Sequence, residues 1–168
     1  LDDAVAITHH PLKNKAGKEI SENLWKGQWS LIAFGYTSCP DVCPTALATI
    51  KRELQNIRKL RGTSADLHVA FIGVDPDADP MEKFSKYVEF FDPQIRPYVG
   101  DHKTLADFSR NVYSAYLREE HDGHYAVTHS TRFFLISPEG DWVGSYKPPF
   151  IKGQIAGDLV KLLSRPKG

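Results

Sequence analysis

The chain has 168 residues, 41% of them hydrophobic, which suits one domain with a sizeable core and argues against disorder. Lysine plus arginine and aspartate plus glutamate balance at 21 each, so no net field favours nucleic acid or an anionic membrane surface. Two cysteines are too few for a disulfide framework, no apolar run reaches membrane-spanning length, and Leu1-Asp2-Asp3 does not resemble a signal peptide.

In chain order, Asn14 to Glu19 reads as a polar hairpin turn, and Trp25 to Trp29 leads into an apolar strand, Leu31 to Tyr36. A helix is expected from Pro44 to Arg61, with Leu47, Ile50, Leu54, Ile57 and Leu60 as its core stripe and Gly62 at its C-terminal cap. Leu67 to Val74 is apolar on both faces and reads as a central strand. Asp75 to Pro80 breaks it, and Pro80 can open a second helix, Met81 to Phe91, which Asp92-Pro93 ends.

Gln94 to Val99 is a connector or edge strand, and Leu105, Phe108, Val112 and Tyr116 recur at helical spacing over Thr104 to Tyr116. Arg118 to Gly123 is read as a polar stretch. Arg132 to Ser137 and Trp142 to Tyr146 flank the turn residues Pro138 to Asp141 and predict an antiparallel hairpin, and a last helix runs from about Lys152 to Leu163. Alternating units closed by a hairpin and a helix predict an α/β fold with a mixed sheet. No internal repeat, low-complexity tract or linker interrupts residues 1–168, so they are taken as a single domain.

Cys39 and Cys43 stand four apart in Thr37-Ser38-Cys39-Pro40-Asp41-Val42-Cys43-Pro44, between the first core strand and the first helix. At a helix start, exposed amides and the positive end of the helix dipole favour the thiolate, which is both a nucleophile and a soft metal ligand. The pair is therefore primed for redox exchange or for a metal. The gap of three residues is wider than in thioredoxin-type Cys-x-x-Cys motifs, although it still permits a disulfide. Two thiolates leave copper(II) or zinc short of ligands, so a metal reading calls for at least an imidazole.

Seven histidines are available: His9, His10, His68, His102, His121, His124 and His129. His68 lies in a predicted strand and His102 near a predicted helix start, which fits structural roles. His121 and His124 flank Asp122-Gly123, a polar turn, and they have no assigned role, nor do His9 and His10. His129 immediately precedes the strand at Arg132, where a rigid element would hold its ring at a sheet edge or mouth. From local sequence alone, a structural histidine is the simpler reading even there.

Phe34-Gly35-Tyr36-Thr37-Ser38-Cys39-Pro40-Asp41-Val42-Cys43-Pro44, followed by Val74-Asp75-Pro76 and by His129-Ser130 before Phe134-Leu135-Ile136, resembles the Sco (SenC) family of copper-binding proteins. The resemblance runs roughly from Lys26 onward. It implies a thioredoxin-like fold with an N-terminal hairpin extension and one copper, as Cu(I) or Cu(II), on Cys39, Cys43 and His129. It also implies help in loading the dinuclear copper site of cytochrome c oxidase, with the copper-accepting subunit or another copper chaperone as partner. Thiol-disulfide reductase activity on a partner's cysteines is the alternative, with Cys39 and Cys43 as the redox pair.

By the same resemblance the full-length protein is membrane-tethered through an N-terminal anchor absent from this chain. It would face the periplasm, which is favoured, or the mitochondrial intermembrane space. Two positions depart from the family's usual pattern. Thr128 stands where an aspartate often precedes the ligand histidine, and Asp75-Pro76-Asp77-Ala78-Asp79 stands where Asp-Pro-Glu-Arg-Asp is common. Asp75, Asp41 and Thr128 are the candidates for supporting the ligands, since a carboxylate beside a ligand orients an imidazole and raises its basicity. Asp77 and Asp79 are read as a solvated loop. Asp75 alone reads equally as a turn residue before proline, and Asp41 as a helix cap.

Overall fold

A computed structural model of the chain describes residues 5–6, 11–20, 24–37, 42–75, 79–111, 116–121, 124–129 and 132–165, with the backbone alone at 5–6, 42–43, 109–111, 116–121 and 124–129. Eight strands and four helices are assigned among them: β1 (Val5–Ala6), β2 (Trp29–Gly35), α1 (Val42–Arg61), β3 (Leu67–Gly73), α2 (Met81–Phe91), β4 (Ile95–Val99), α3 (His102–Asn111), β5 (Tyr116–His121), β6 (His124–His129), β7 (Phe133–Ile136), β8 (Asp141–Tyr146) and α4 (Gln154–Leu163). Six strands form one mixed sheet in the order β1-β8-β7-β2-β3-β4, while β5 and β6 form a separate two-stranded ribbon.

The apolar runs explain the centre of the sheet. β3 is buried along its whole length between parallel partners β2 and β4, with Leu31 beside Val69 and Phe71 beside Pro97. A strand covered on both faces has no polar side to alternate with, which is why its sequence is nearly all apolar. Odd-numbered residues Leu31, Ala33, Val69, Phe71, Phe133 and Leu135 share one core cluster with α1, α2 and α4. Ile32, Phe34, Ala70, Ile72, Phe134 and Ile136 join Leu12, Trp25, Leu105 and Phe108 in the other. The period of two thus divides two cores between the two faces of one sheet.

Along α1, Leu47, Ile50, Leu54 and Ile57 are buried as expected, but Leu60 is 65% exposed. At roughly 100° per residue, Leu60 falls about 90° from the centre of the stripe set by the other four, so it turns to solvent. Gly62 has φ 84 and its N–H bonds the Arg58 carbonyl at 2.8 Å, the left-handed cap the sequence predicts. Glu53, on the same helix and 1% exposed, was not foreseen as a core residue. Its carboxylate accepts the amides of Gly153 at 2.9 Å and Ala156 at 3.4 Å, so it holds the start of α4.

The expected hairpin turn at Asn14 is present. Lys13 bridges Glu19, and Asn14 Oδ1 accepts the amides of Ala16 and Lys18 at 3.0 and 3.1 Å. Lys13 also exchanges two backbone hydrogen bonds with Val99, covering the outer edge of β4. β7 and β8 pair antiparallel through the predicted turn.

Two expectations need correction. α3 ends at Asn111, not Tyr116, and Tyr116 opens β5; Leu105 and Phe108 are buried as predicted, while Val112 lies outside the described residues. The polar stretch from Arg118 is strand β5, paired antiparallel with β6 so that His121 faces His124. Asp122-Gly123 between paired strands is a strong short hairpin signal. Its polar flanks hid the signal. β1, which pairs with β8, has no counterpart in the sequence reading.

Candidate functional site

The register of the main sheet brings the predicted site segments to one end. β2 and β3 run parallel with Gly35 opposite Gly73, and Val74 N–H donates to the Gly35 carbonyl at 3.0 Å, so both strands finish together. β7 runs the other way, with Ile32 opposite Phe134, so its first residue, Phe133, stands beside the last residues of β2. Carboxyl ends of central strands are where open α/β sheets present their ligand sites.

Cys39 follows Gly35 by four residues, and His129, the last residue of β6, precedes Phe133 by four. A stretch of four residues spans at most about 14 Å, so both start within reach of the same sheet end. Cys39 and Asp41 lie outside the described residues, as do the side chains of Cys43, Thr128 and His129. On the backbone, Cys43 is the second residue of α1, while Thr128 pairs with Leu117 and His129 with Tyr116. His129 therefore closes a strand of its own, not the strand that begins at Phe133. Among the described residues, no group of three or more His, Cys, Asp or Glu is arranged to hold a metal ion.

The first turn of α1 contains no acidic residue, and Arg58, Lys59 and Arg61 occupy its last turn. Cys43 thus sits at the positive end of the helix dipole, an environment that favours a thiolate. Pro44 sits in that same turn, where its missing N–H leaves no helix bond broken.

Asp79 corrects the reading of a solvated loop. It is 2% exposed and accepts the backbone N–H of Thr37 at 2.7 Å, and it also accepts the Thr37 hydroxyl. Lys83 Nζ lies 3.5 Å from the same carboxylate. Asp79 N–H in turn donates to the Asp75 carbonyl at 2.9 Å. Asp75 is 8% exposed at the end of β3. The loop start at Thr37 is therefore tied to the segment that follows the central strand. The sequence cue was an aspartate before the helix-opening Pro80, which also fits a solvated turn.

His68 has the structural role expected of it. It is 3% exposed and stacked on Trp25, with ring centroids 5.5 Å apart. Its ring nitrogens meet Ser30 Oγ at 3.3 Å and Tyr98 Oη at 2.9 Å. Burial, aided by the nearby Arg96 charge, pushes its pKa down to about 4, so the ring is neutral near pH 7. His102 begins α3 and is half-buried.

A mixed sheet flanked by helices, with two cysteines between the end of β2 and the first turn of α1, defines a thioredoxin-like α/β protein. The chain belongs to the SCO1/SenC family, whose model matches residues 2–164 and so extends the likeness well before Lys26. It is 33% identical over 131 residues, 77% of the chain, to the mitochondrial protein SCO1 homolog 1 of Arabidopsis thaliana. It is 31% identical over 162 residues, 95% of the chain, to the human mitochondrial protein SCO1 homolog. These matches cover 39% and 52% of the two relatives' lengths, so the chain spans about half or less of each. The crystal structure of Arabidopsis thaliana ScoI with copper bound superposes with a TM-score of 0.80 at 30% identity, covering 94% of this chain and 98% of that one.

Proposed function

We propose that this chain is a copper metallochaperone that carries one copper on Cys39, Cys43 and His129 and passes it to the dinuclear copper site of cytochrome c oxidase. The observation that carries this reading is the meeting, at one end of the sheet, of the strand that leads to the cysteines and the strand that follows His129. Family membership and the copper-bound Arabidopsis relative supply the cargo. Two thiolates and a neutral imidazole form a soft set suited to copper(I) and a workable core for copper(II).

Transfer follows from ligand exchange. An open side lets a partner's cysteine or histidine enter before the original ligands leave, so the ion is never released free. The partner we propose is the copper-accepting subunit of the oxidase or another copper chaperone. The compartment we propose is the periplasm, ahead of the mitochondrial intermembrane space, with the full-length protein tethered to the membrane. Among the described residues, no helix is long and apolar enough to cross a membrane.

A second reading, disulfide reduction, draws on the place of Cys43 in the first turn of α1. One thiolate attacks a partner's disulfide, a partner thiol leaves, and the remaining cysteine resolves the mixed disulfide. The partner gains two electrons and two protons, and Cys39 and Cys43 end as a disulfide. That same disulfide removes both sulfur ligands, so copper occupancy follows the local redox poise.

Copper titration of the reduced protein separates the two readings. A thiolate-to-copper(II) charge-transfer band is expected at one equivalent, and His129→Ala should weaken copper(II) binding by about 100-fold or more, roughly 3 kcal/mol. The same variant should leave most dithiol exchange intact. Equal copper affinity in His129→Ala discards the three-ligand site, and absence of the band together with fast disulfide exchange selects the reductase.

A further inference from the structure

We infer that Asp79 is a positioning residue of the cysteine loop, a buried carboxylate that fixes Thr37 and so presets the sulfurs for copper before the metal arrives. The inference rests on the copper reading above and deepens it. Thr37 is the last described residue before the loop and stands two residues ahead of Cys39. Asp79 holds it by both its amide, at 2.7 Å, and its hydroxyl. Two bonds from one carboxylate to one residue fix that residue's backbone and its side chain together.

The direction of these bonds is informative. An aspartate just before a helix ordinarily turns back to cap that helix's first amides. Asp79 precedes α2, yet α2 has Pro80 at its N-cap position without a side-chain cap bond, and both Asp79 oxygens reach Thr37 instead. The backbone of Asp79 faces the other way, donating to Asp75 at the end of β3. Asp79 is thus a bridge from Asp75, just past β3, to Thr37, two residues ahead of Cys39.

A buried carboxylate costs desolvation unless it is well partnered, and the partner with charge, Lys83, is 56% exposed and 3.5 Å away. Among the described residues, close hydrogen bonding therefore falls to Thr37. An outer partner of this kind acts on metal retention through the ligands it orients, and its loss typically weakens binding by about 10- to 100-fold.

The test loads wild type, Asp79→Ala, Asp79→Asn and Thr37→Val with copper(II) and follows the thiolate-to-copper(II) band, the rate of copper loss to a chelator and the midpoint potential of the dithiol. Thermal unfolding of each apo protein runs alongside. Asp79→Ala should lose copper about 10- to 100-fold faster than wild type, with a shifted band and potential. Asp79→Asn, which keeps one acceptor for the Thr37 amide, should fall between. Thr37→Val removes the hydroxyl bond alone and should show a smaller, several-fold increase.

If Asp79→Ala does not fold, Asp79→Asn and Thr37→Val carry the comparison. Variants that lose thermal stability while the copper-loss rate, band and potential match wild type overturn the positioning role and leave the copper reading standing. A wild-type protein with no thiolate-to-copper(II) band overturns both.

Discussion

The two segments that would supply copper ligands stand on unlike foundations. The cysteines follow β2, whose neighbour β3 is buried over all seven of its residues and paired on both sides. His129 ends β6, which pairs with β5 alone. A two-stranded ribbon is marginal in water without further packing, whereas a central strand opens only with the whole domain. Sulfur would thus come from the most cooperative part of the molecule and nitrogen from a ribbon that packs on α3 through β5 and should open more readily than the main sheet. On the proposed copper-transfer reading, this division would let one ligand leave while two hold.

Breaking the core side of the comparison should have the largest effect. Phe71 is fully buried at the middle of β3 and stacked on Phe84, with ring centroids 5.8 Å apart. Phe71→Ala should lower global stability by about 3–5 kcal/mol, read from the urea midpoint. Native-state hydrogen exchange measures the other side. Amides of β5 and β6 should exchange at least about 100-fold faster than those of β3, a gap of roughly 3 kcal/mol in opening free energy. Phe71→Ala should speed β3 exchange and leave the ribbon unchanged. Equal protection in ribbon and core would remove the contrast altogether.

A smaller, pH-dependent effect sharpens the same contrast within the core. His68 is held neutral by burial, with its pKa lowered from 6.5 to about 4. Between those values the unfolded chain takes up a proton that the folded chain refuses, so stability falls as pH drops through this window and is full above it. The total loss is about 3 kcal/mol by pH 4, and roughly 2 kcal/mol near pH 5. His68→Gln, neutral throughout, should start less stable at pH 7 and lack this part of the slope. An unchanged slope in that variant would assign the acid sensitivity to the carboxylates instead.

Legibility in the sequence followed burial. Met81–Phe91 matched its prediction residue for residue, and α1 began only two residues early, because an apolar stripe and proline punctuation act together there. The ribbon escaped notice because the charged run Arg118, Glu119 and Glu120 reads as a loop. Glu53 and Asp79 were missed for a related reason: a buried carboxylate is distinguished by partners distant in sequence, Gly153 in one case and Thr37 in the other. Cys39 and Cys43 stood out through motif chemistry, which local sequence carries without reference to packing, whereas His129 was singled out only by the family resemblance.

The smallest effect concerns the N-terminal hairpin, which has two candidate fastenings. Lys15 and Glu89 form an ion pair at 2.6 Å, but the lysine is 61% exposed and the glutamate 33%. Such a pair gains little in high dielectric and loses side-chain entropy, so Lys15→Ala should change stability by less than about 1 kcal/mol, and by less still in high salt. The durable fastening is apolar and backbone. Leu12 is 1% exposed in the core cluster on α3's side of the sheet, and Lys13 exchanges amide bonds of 2.7 and 3.0 Å with Val99. Leu12→Ala should therefore cost about 2–5 kcal/mol where Lys15→Ala costs almost nothing. Comparable losses from the two variants would mean that the hairpin is held by charge, and that it belongs with the ribbon among the separable elements.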